Sequence, residues 1–455
     1  MTRNRRVIVP SLLIALGLFL QSSLSQAVTL EELAQRLDAL EAENAVLRQK
    51  VARLESGPHV APAEPVTAVA AAPVLSTASS PASSPAATSG GGEASTYVSS
   101  YGEIGYTRPS KRPSVSNVDV QRAVIGLTHR FDENTKMVGE WEWEHAVTSS
   151  TDTGESEVEQ LYVEHSFRGG WTADAGLYLL PAGLINQHHE PTAYYGVYRP
   201  DVDTKIIPST WREVGLGISR TTDSGLTFEG GLTTAPNLSQ WDPTTDEGRL
   251  RGPLAAIHGE GQFAAAHDLA GHLSVNWRVP GALVGASVFA SKVGQDQPGF
   301  LGNDSRLLLW EVHGRYQPGR WDLAAEYARG TLSDTEALNE FYLHGTTPNP
   351  TLVPALFYGG YAQAAYRVWS NDYFKITPFA RYEILNTAAD YGSLAGAPAS
   401  SRDEHIWTLG TSLYVGDGVV FKADYRGYRN DRYPSAVPLG YTKGDSLNLG
   451  VGYSF

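Results

Sequence analysis

From Tyr97 to the C-terminus, hydrophobic and polar positions alternate with a period of two. The final stretch, "SLNLGVGYSF", shows it most clearly. Leu447, Leu449, Val451, Tyr453 and Phe455 share one face, while Ser446, Asn448, Gly450, Gly452 and Ser454 share the other. Successive side chains of a strand point to opposite sides, so each such segment predicts a β-strand with one apolar and one polar face. A soluble sandwich and a membrane barrel both give that alternation, and the spacing between strands separates them. Short turn-forming connections ("DENT" 132–135, "RGG" 168–170, "DSG" 223–225, "PG" 280–281, "PGR" 318–320, "SND" 370–372, "GDG" 416–418) alternate with long ones at 107–117, 148–156, 181–211, 234–268, 294–304, 331–356, 387–402 and 430–443. Seven tight turns and eight long loops predict sixteen strands, with both ends of the barrel on the periplasmic side. Short periplasmic turns and longer external loops are the asymmetry of an outer-membrane barrel; a sandwich has no cause for it.

Aromatic residues point the same way. Phe131, Phe167, Trp171, Trp277, Tyr316, Trp321, Trp369, Phe374, Phe421 and Phe455 all lie within a few residues of a short turn or the C-terminus. Amphipathic rings favour the headgroup layer, so a girdle at one membrane interface accounts for this clustering.

Ahead of the strands the period changes. Leu30, Leu33, Leu37, Leu40, Asn44, Leu47, Val51 and Leu54 recur in steps of three and four, which predicts an α-helical coiled coil over 28–56. In a parallel assembly Arg36 would meet Glu41, Glu43 would meet Arg48 and Lys50 would meet Glu55, all opposite in sign. Asn44 at a core position fixes register, and the core residues suit either two or three strands. Residues 1–27 read as a signal peptide: Arg3, Arg5 and Arg6 precede an apolar run from Val7 to Leu20, and cleavage is expected after Ala27. Residues 57–96, rich in Ala, Pro and Ser, read as a linker. The expected architecture is all-β: a 16-stranded antiparallel transmembrane β-barrel over 97–455, preceded by an N-terminal α-helical coiled coil.

Composition narrows the chemistry. Among 455 residues there is no cysteine, which removes disulfides, thiolate catalysis and thiolate metal sites. A net charge of −14 argues against nucleic acid as a partner. A hydrolase on the barrel exterior would need a serine beside a histidine on adjoining strands, and His165 has no such serine, so no enzyme is expected.

The closing "GVGYSF", with its terminal Phe455, resembles the signal by which outer-membrane assembly machinery recognises barrels. The coiled coil, the Ala/Pro linker and the sixteen strands together resemble Gram-negative outer-membrane porins, in particular the phosphate-selective porin O/P family and the DcaP-like porins. The segment "LYLLPAGLINQHHEPTAYYGVYRPDVDTKIIPSTWREVGLG" (177–217) looks like the third external loop region of such proteins. The resemblance implies a homotrimer in outer-membrane lipid and lipopolysaccharide, passing small hydrophilic solutes, and it favours a three-stranded zipper that would lie in the periplasm. The phosphate-selective branch uses lysine-rich walls, and lysine is scarce in this barrel. Two alternative functions are a substrate-selective anion channel of the phosphate type and a structural role, as an adhesin or a barrel tethered to the cell wall by contact of its zipper with peptidoglycan.

Charge on the lipid face is costly, so charged positions of the strands should face the lumen. Arg122, Glu140, Glu142, Glu144, Glu164, Asp174, Glu311, Arg315, Arg381, Lys422 and Arg426 are accordingly expected to line the pore. The connection 181–211 combines prolines, tyrosines and both signs of charge, and is expected to fold into the barrel and narrow it. Its constriction residues would be His188, His189, Glu190, Tyr194, Arg199, Asp201, Asp203 and Lys205. "LINQHHEP" (184–191) invites a metal reading, but adjacent histidines of an extended chain point to opposite sides, and no second cluster supplies ligands at a recognisable spacing. Neither metal nor other cofactor is expected. Histidines in a constriction would make conductance change between about pH 5 and 8.

Overall fold

The computed structural model describes residues 94–245, 251–396, 403–429 and 444–455. The expected signal peptide, coiled coil and linker lie outside them. Sixteen long strands run in sequence order: β1 (Ser95–Pro109), β2 (Asn117–Arg130), β3 (Thr135–Glu144), β4 (Ser156–Phe167), β5 (Trp171–Leu179), β6 (Arg212–Thr221), β7 (Leu226–Thr234), β8 (Leu269–Val279), β9 (Ala282–Lys292), β10 (Arg306–Tyr316), β11 (Trp321–Ser333), β12 (Leu356–Tyr366), β14 (Phe374–Asp390), β15 (Glu404–Val415), β16 (Val419–Arg429) and β17 (Ser446–Ser454). A two-residue stub, β13 (Trp369–Ser370), continues β12 and pairs with the start of β14. Every pairing is antiparallel between neighbours. β1 pairs both with β2 and with β17, from Tyr101↔Ser454 to Pro109↔Ser446, so the sheet closes on itself and leaves no edge.

The alternation read from the sequence sets which way each side chain points. On β17, Leu447, Leu449 and Tyr453 are exposed on the outer surface, while Ser446, Asn448 and Gly452 are buried on the inner one. All ten turn-proximal aromatics named above are exposed. Such a band of exposed rings would be a liability in water and is the girdle of a barrel in lipid.

Tight turns rely on backbone that only glycine adopts freely. Gly225 has φ of +81°, and a Cβ there would come within 1.9 Å of the Arg278 carbonyl oxygen. The strand between the turn at 132–135 and the loop expected from 148 ends early, at Glu144, because His145 and Ala146 take positive φ values of 56° and 60°. The long connections on the other side carry short helices, including α1 (Pro253–Ile257) and α2 (Glu336–His344). The main apolar core lies inside the barrel, where Val202, Ile206 and Ile207 of the long β5–β6 connection pack with Leu254, Phe357, Leu385 and Ile406.

Candidate functional site

Residues 180–211 leave the wall after β5 and return to it at β6. Asn186 clasps the two ends. Its Nδ2 donates to the carbonyls of Leu180 (2.8 Å) and Trp211 (2.9 Å), and its Oδ1 accepts from the Trp211 backbone N–H at 2.6 Å. Between these ends the chain crosses the lumen to strands on other parts of the wall. Glycines on the inner face make room for it. A Cβ at Gly452 would lie 2.5 Å from Pro191 Cβ, and one at Gly359 would lie 2.9 Å from Ile206 Cγ1.

The later half of the segment is held by paired charges and by carboxylates accepting backbone N–H bonds. The wall residues Asp424 and Glu383 accept from the N–H groups of Val197 and Asp201, each at 2.6 Å. Asp201 pairs with Arg426 and, at 2.7 Å, with Lys205, whose ammonium also reaches Glu404 at 2.8 Å. Burial alone would raise the Asp201 carboxyl, but Arg426 and Lys205 outweigh it and hold the group well below the usual carboxylate range. The Lys205 ammonium is shifted upward in turn: Asp201 and Glu404 overcome the burial penalty. Arg381 bonds Glu383 at 2.8 Å and donates to the carbonyls of Tyr195 and Tyr198 at 3.2 and 3.3 Å. A π-helical turn, Val202–Ile206, sets Asp203 differently. Both Asp203 oxygens are buried and meet no N–H or hydroxyl donor among the described residues, only the carboxyl of Glu326, and burial together with the Glu383 charge pushes the Asp203 carboxyl up to about 7.

Tyrosines seat the middle. Tyr194 donates to Glu103 at 2.6 Å and lies under the Lys422 ammonium, 3.7 Å from the ring centre. Tyr195 donates to Asp322 at 3.2 Å, and Tyr198 bonds Thr107. Arg199 stays within the segment, donating to Ser209 (2.6 Å) and Thr210 (3.1 Å).

The earlier half meets a wall of carboxylates. His189 is buried, with Nδ1 2.9 Å from the Asn186 carbonyl oxygen and Nε2 2.6 Å from the Tyr101 hydroxyl. Tyr101 also donates to Glu159 Oε2 at 2.7 Å, and the other oxygen of Glu159 is 3.6 Å from His189 Nε2. Ligand atoms of Glu140, Glu159 and His189 all lie within 4.8 Å of one another. His188 and Glu190 are only half-buried. Burial shifts the His188 imidazole downward in spite of the Glu190 charge.

The remaining wall residues named from the sequence fall into two groups. Arg122, Glu142, Glu311, Arg381, Lys422 and Arg426 are buried, whereas Glu140, Glu144, Glu164, Asp174 and Arg315 are half-buried. Arg122 pairs with Glu103 (2.8 Å), Glu164 with Lys136 (2.8 Å), and Arg315 with Asp322 through two bonds at 2.9 and 2.6 Å. Glu311 is bonded by His313 at 2.8 Å. His165, considered above for catalysis, bonds Thr135 Oγ1 at 2.9 Å.

Sequence reading missed Glu159. On a regular strand it would point outward beside Gln160. In the β3–β4 pairing, Glu140 faces Gln160 but Trp141 faces Val158, so Glu159 is an extra, bulged residue. The bulge turns its side chain inward, where it is fully buried. No signal of this bulge is present in the alternation of the sequence.

No family model matches the chain. A relative from Aquifex aeolicus, described only as an uncharacterized protein, is 30% identical over 353 residues, covering 75% of this chain and 78% of the relative. Among solved structures, the Salmonella typhi OmpF complex with daunomycin matches at a TM-score of 0.51 and 16% identity, over 79% of this chain and 97% of OmpF. The outer membrane channel DcaP of Acinetobacter baumannii gives a TM-score of 0.48 at 10% identity, over 80% and 98%. The anion-selective porin from Comamonas acidovorans gives 0.49 at 12% identity, over 80% and 100%. The likeness to OmpF shows a shared barrel fold.

Proposed function

We propose that this chain, which belongs to one family with the Aquifex aeolicus protein, is an outer-membrane porin: a passive, water-filled channel for small hydrophilic, charged solutes. The observation that carries this reading is the contrast between the two faces of the closed barrel. The outside is apolar and girdled with aromatics, while the inside holds both signs of charge around the packed segment 181–211. Lipid accepts the first surface and only water accepts the second. In this reading 181–211 forms the constriction, with His188 and Glu190 at its more open edge and Asp201, Asp203 and Lys205 within its anchored body.

Cations are the preferred solutes in this proposal. On β3–β7 the inward acids Glu140, Glu142, Glu144, Glu164, Asp174 and Glu229 face few bases, Lys136 and Arg212 among them. The wall from β8 to β16 mixes Arg315, Arg381, Lys422 and Arg426 with Glu311, Asp322, Glu383 and Asp424. Rings of carboxylates select cations, and like charge excludes anions from the narrowed path. The coiled coil expected over 28–56 would join three such barrels.

Planar-bilayer recording of the purified, detergent-extracted protein tests the reading. Discrete conductance steps, with a reversal potential of cation-selective sign in a KCl gradient, are expected. A protein that inserts without steps would overturn the channel assignment, and an anion-selective sign would overturn the charge preference alone.

A further inference from the structure

We propose that Glu140, Glu159 and His189 form a binding site for one divalent transition-metal cation of the zinc type, which fastens the start of the 181–211 segment to the β3–β4 wall. The three ligand atoms already converge, within 4.8 Å of one another, with no rearrangement of the backbone. Two carboxylate oxygens and one imidazole nitrogen are a donor set that suits zinc and its neighbours; calcium prefers six to eight oxygens.

Three further features favour a cation here over a closed hydrogen-bond network. First, Glu159 is fully buried, and its Oε1 meets no N–H or hydroxyl donor among the described residues, only the neighbouring carboxyl of Glu142. That oxygen lies on the His189 side of the cluster, 3.6 Å from Nε2. A buried carboxylate oxygen left bare is costly unless something positive meets it.

Second, the hydrogens are too few. His189 Nδ1 faces the Asn186 carbonyl oxygen, so it carries a proton, and Nε2 is the nitrogen that can offer a lone pair to a cation. Tyr101 has one hydroxyl proton for two acceptors, Glu159 Oε2 at 2.7 Å and His189 Nε2 at 2.6 Å. A ring whose outer nitrogen donates to a backbone carbonyl is oriented as metal-binding histidines are.

Third, the nearby Arg122 guanidinium spends Nε on Glu103 and Nη2 on the His189 carbonyl, and its Nη1 makes no hydrogen bond to a described residue. Gln160, paired opposite Glu140, holds that carboxylate in place by a hydrogen bond to its Oε2. The bulge at Glu159 supplies the second carboxylate at this point and nowhere else along β4.

The site does not depend on the channel reading, because binding is measured at equilibrium without conductance. Tag-free full-length protein in detergent is stripped with EDTA, dialysed against ZnCl2, and its bound zinc counted by elemental analysis. One zinc per chain is expected, with calcium failing to compete. Glu159→Gln and His189→Asn should each weaken zinc binding at least about tenfold, since even outer-shell changes commonly cost that much. Glu164→Gln, on the same strand but paired with Lys136, should leave it unchanged. Should His189→Asn fail to fold, Glu140→Gln takes its place. The proposal is overturned if the stripped wild-type protein takes up no stoichiometric zinc, or if Glu159→Gln binds it as tightly as wild type. In either case a shared proton, not a metal, holds the carboxylates together.

Discussion

The two halves of the 181–211 segment are anchored to the same wall by opposite electrostatic means. Around Asp201 and Lys205 the charges find partners of opposite sign, Arg426, Glu404, and Arg381 with Glu383, with Asp203 the exception. Around His189 the wall presents Glu140, Glu142 and Glu159, with the guanidinium of Arg122 already engaged by Glu103. One end is a closed ion-pair network and the other is an excess of carboxylate. Both lie in the lumen of one barrel, so the difference does not come from burial alone. It comes from which strands the segment reaches: β14–β16 carry several bases among their acids, and β3–β4 carry Lys136, which is taken by Glu164.

The largest effect should come from opening the paired end. Arg426→Ala leaves Asp201 buried with only Lys205, and breaking a buried pair in this way costs about 3–5 kcal/mol. Urea unfolding in detergent, followed by tryptophan fluorescence, should show the loss. Next in size is Gly452→Val, whose side chain would meet the Pro191 ring. Overpacking of this sort costs about 1–3 kcal/mol, and the same unfolding curve reports it. A midpoint unchanged by Gly452→Val would mean that the segment does not press on β17.

A subtler test uses pH. The Asp203 carboxyl is pushed from an ordinary 3.8 up to about 7 by burial and by Glu383. The folded state therefore holds this proton longer than the unfolded chain does. Stability from this group is full below pH 3.8 and is lost as pH rises toward about 7. Asp203→Asn should flatten that part of the stability profile and make the protein relatively more stable at pH 8 than wild type. The smallest change is expected at the unpaired end. In EDTA, Glu142→Gln removes one of several crowded carboxylates and should be neutral or stabilising, within about 1 kcal/mol. A large loss there would place Glu142 in an ion pair and erase the contrast between the two ends.

The barrel itself was legible from periodicity. Turn-forming residues marked each hairpin, and the aromatic positions lie on the exposed face of the barrel near these turns. Arg381 and Lys422, which period two puts on the polar face, are buried. It failed at Glu159, because a one-residue bulge reverses the face and leaves no mark in the pattern. Partners across the lumen were equally invisible. Nothing in the order of residues says that Val197 meets Asp424 or that His189 meets Glu159, since those contacts depend on how a long connection crosses a closed ring. The inner-face glycines that admit the segment, Gly359 and Gly452, looked like ordinary small residues on a polar face. The oligomerisation residues from Leu30 to Leu54 lie outside the described residues.

Single-channel conductance of the wild-type protein, set against a variant in which residues 187–209 are replaced by a short Gly-Ser bridge, tests the role of the segment most directly. If 181–211 narrows the channel, the variant barrel, still resistant to SDS at room temperature, conducts markedly more per step and discriminates less between cations and anions. Equal conductance and equal selectivity in the two proteins would contradict the constriction.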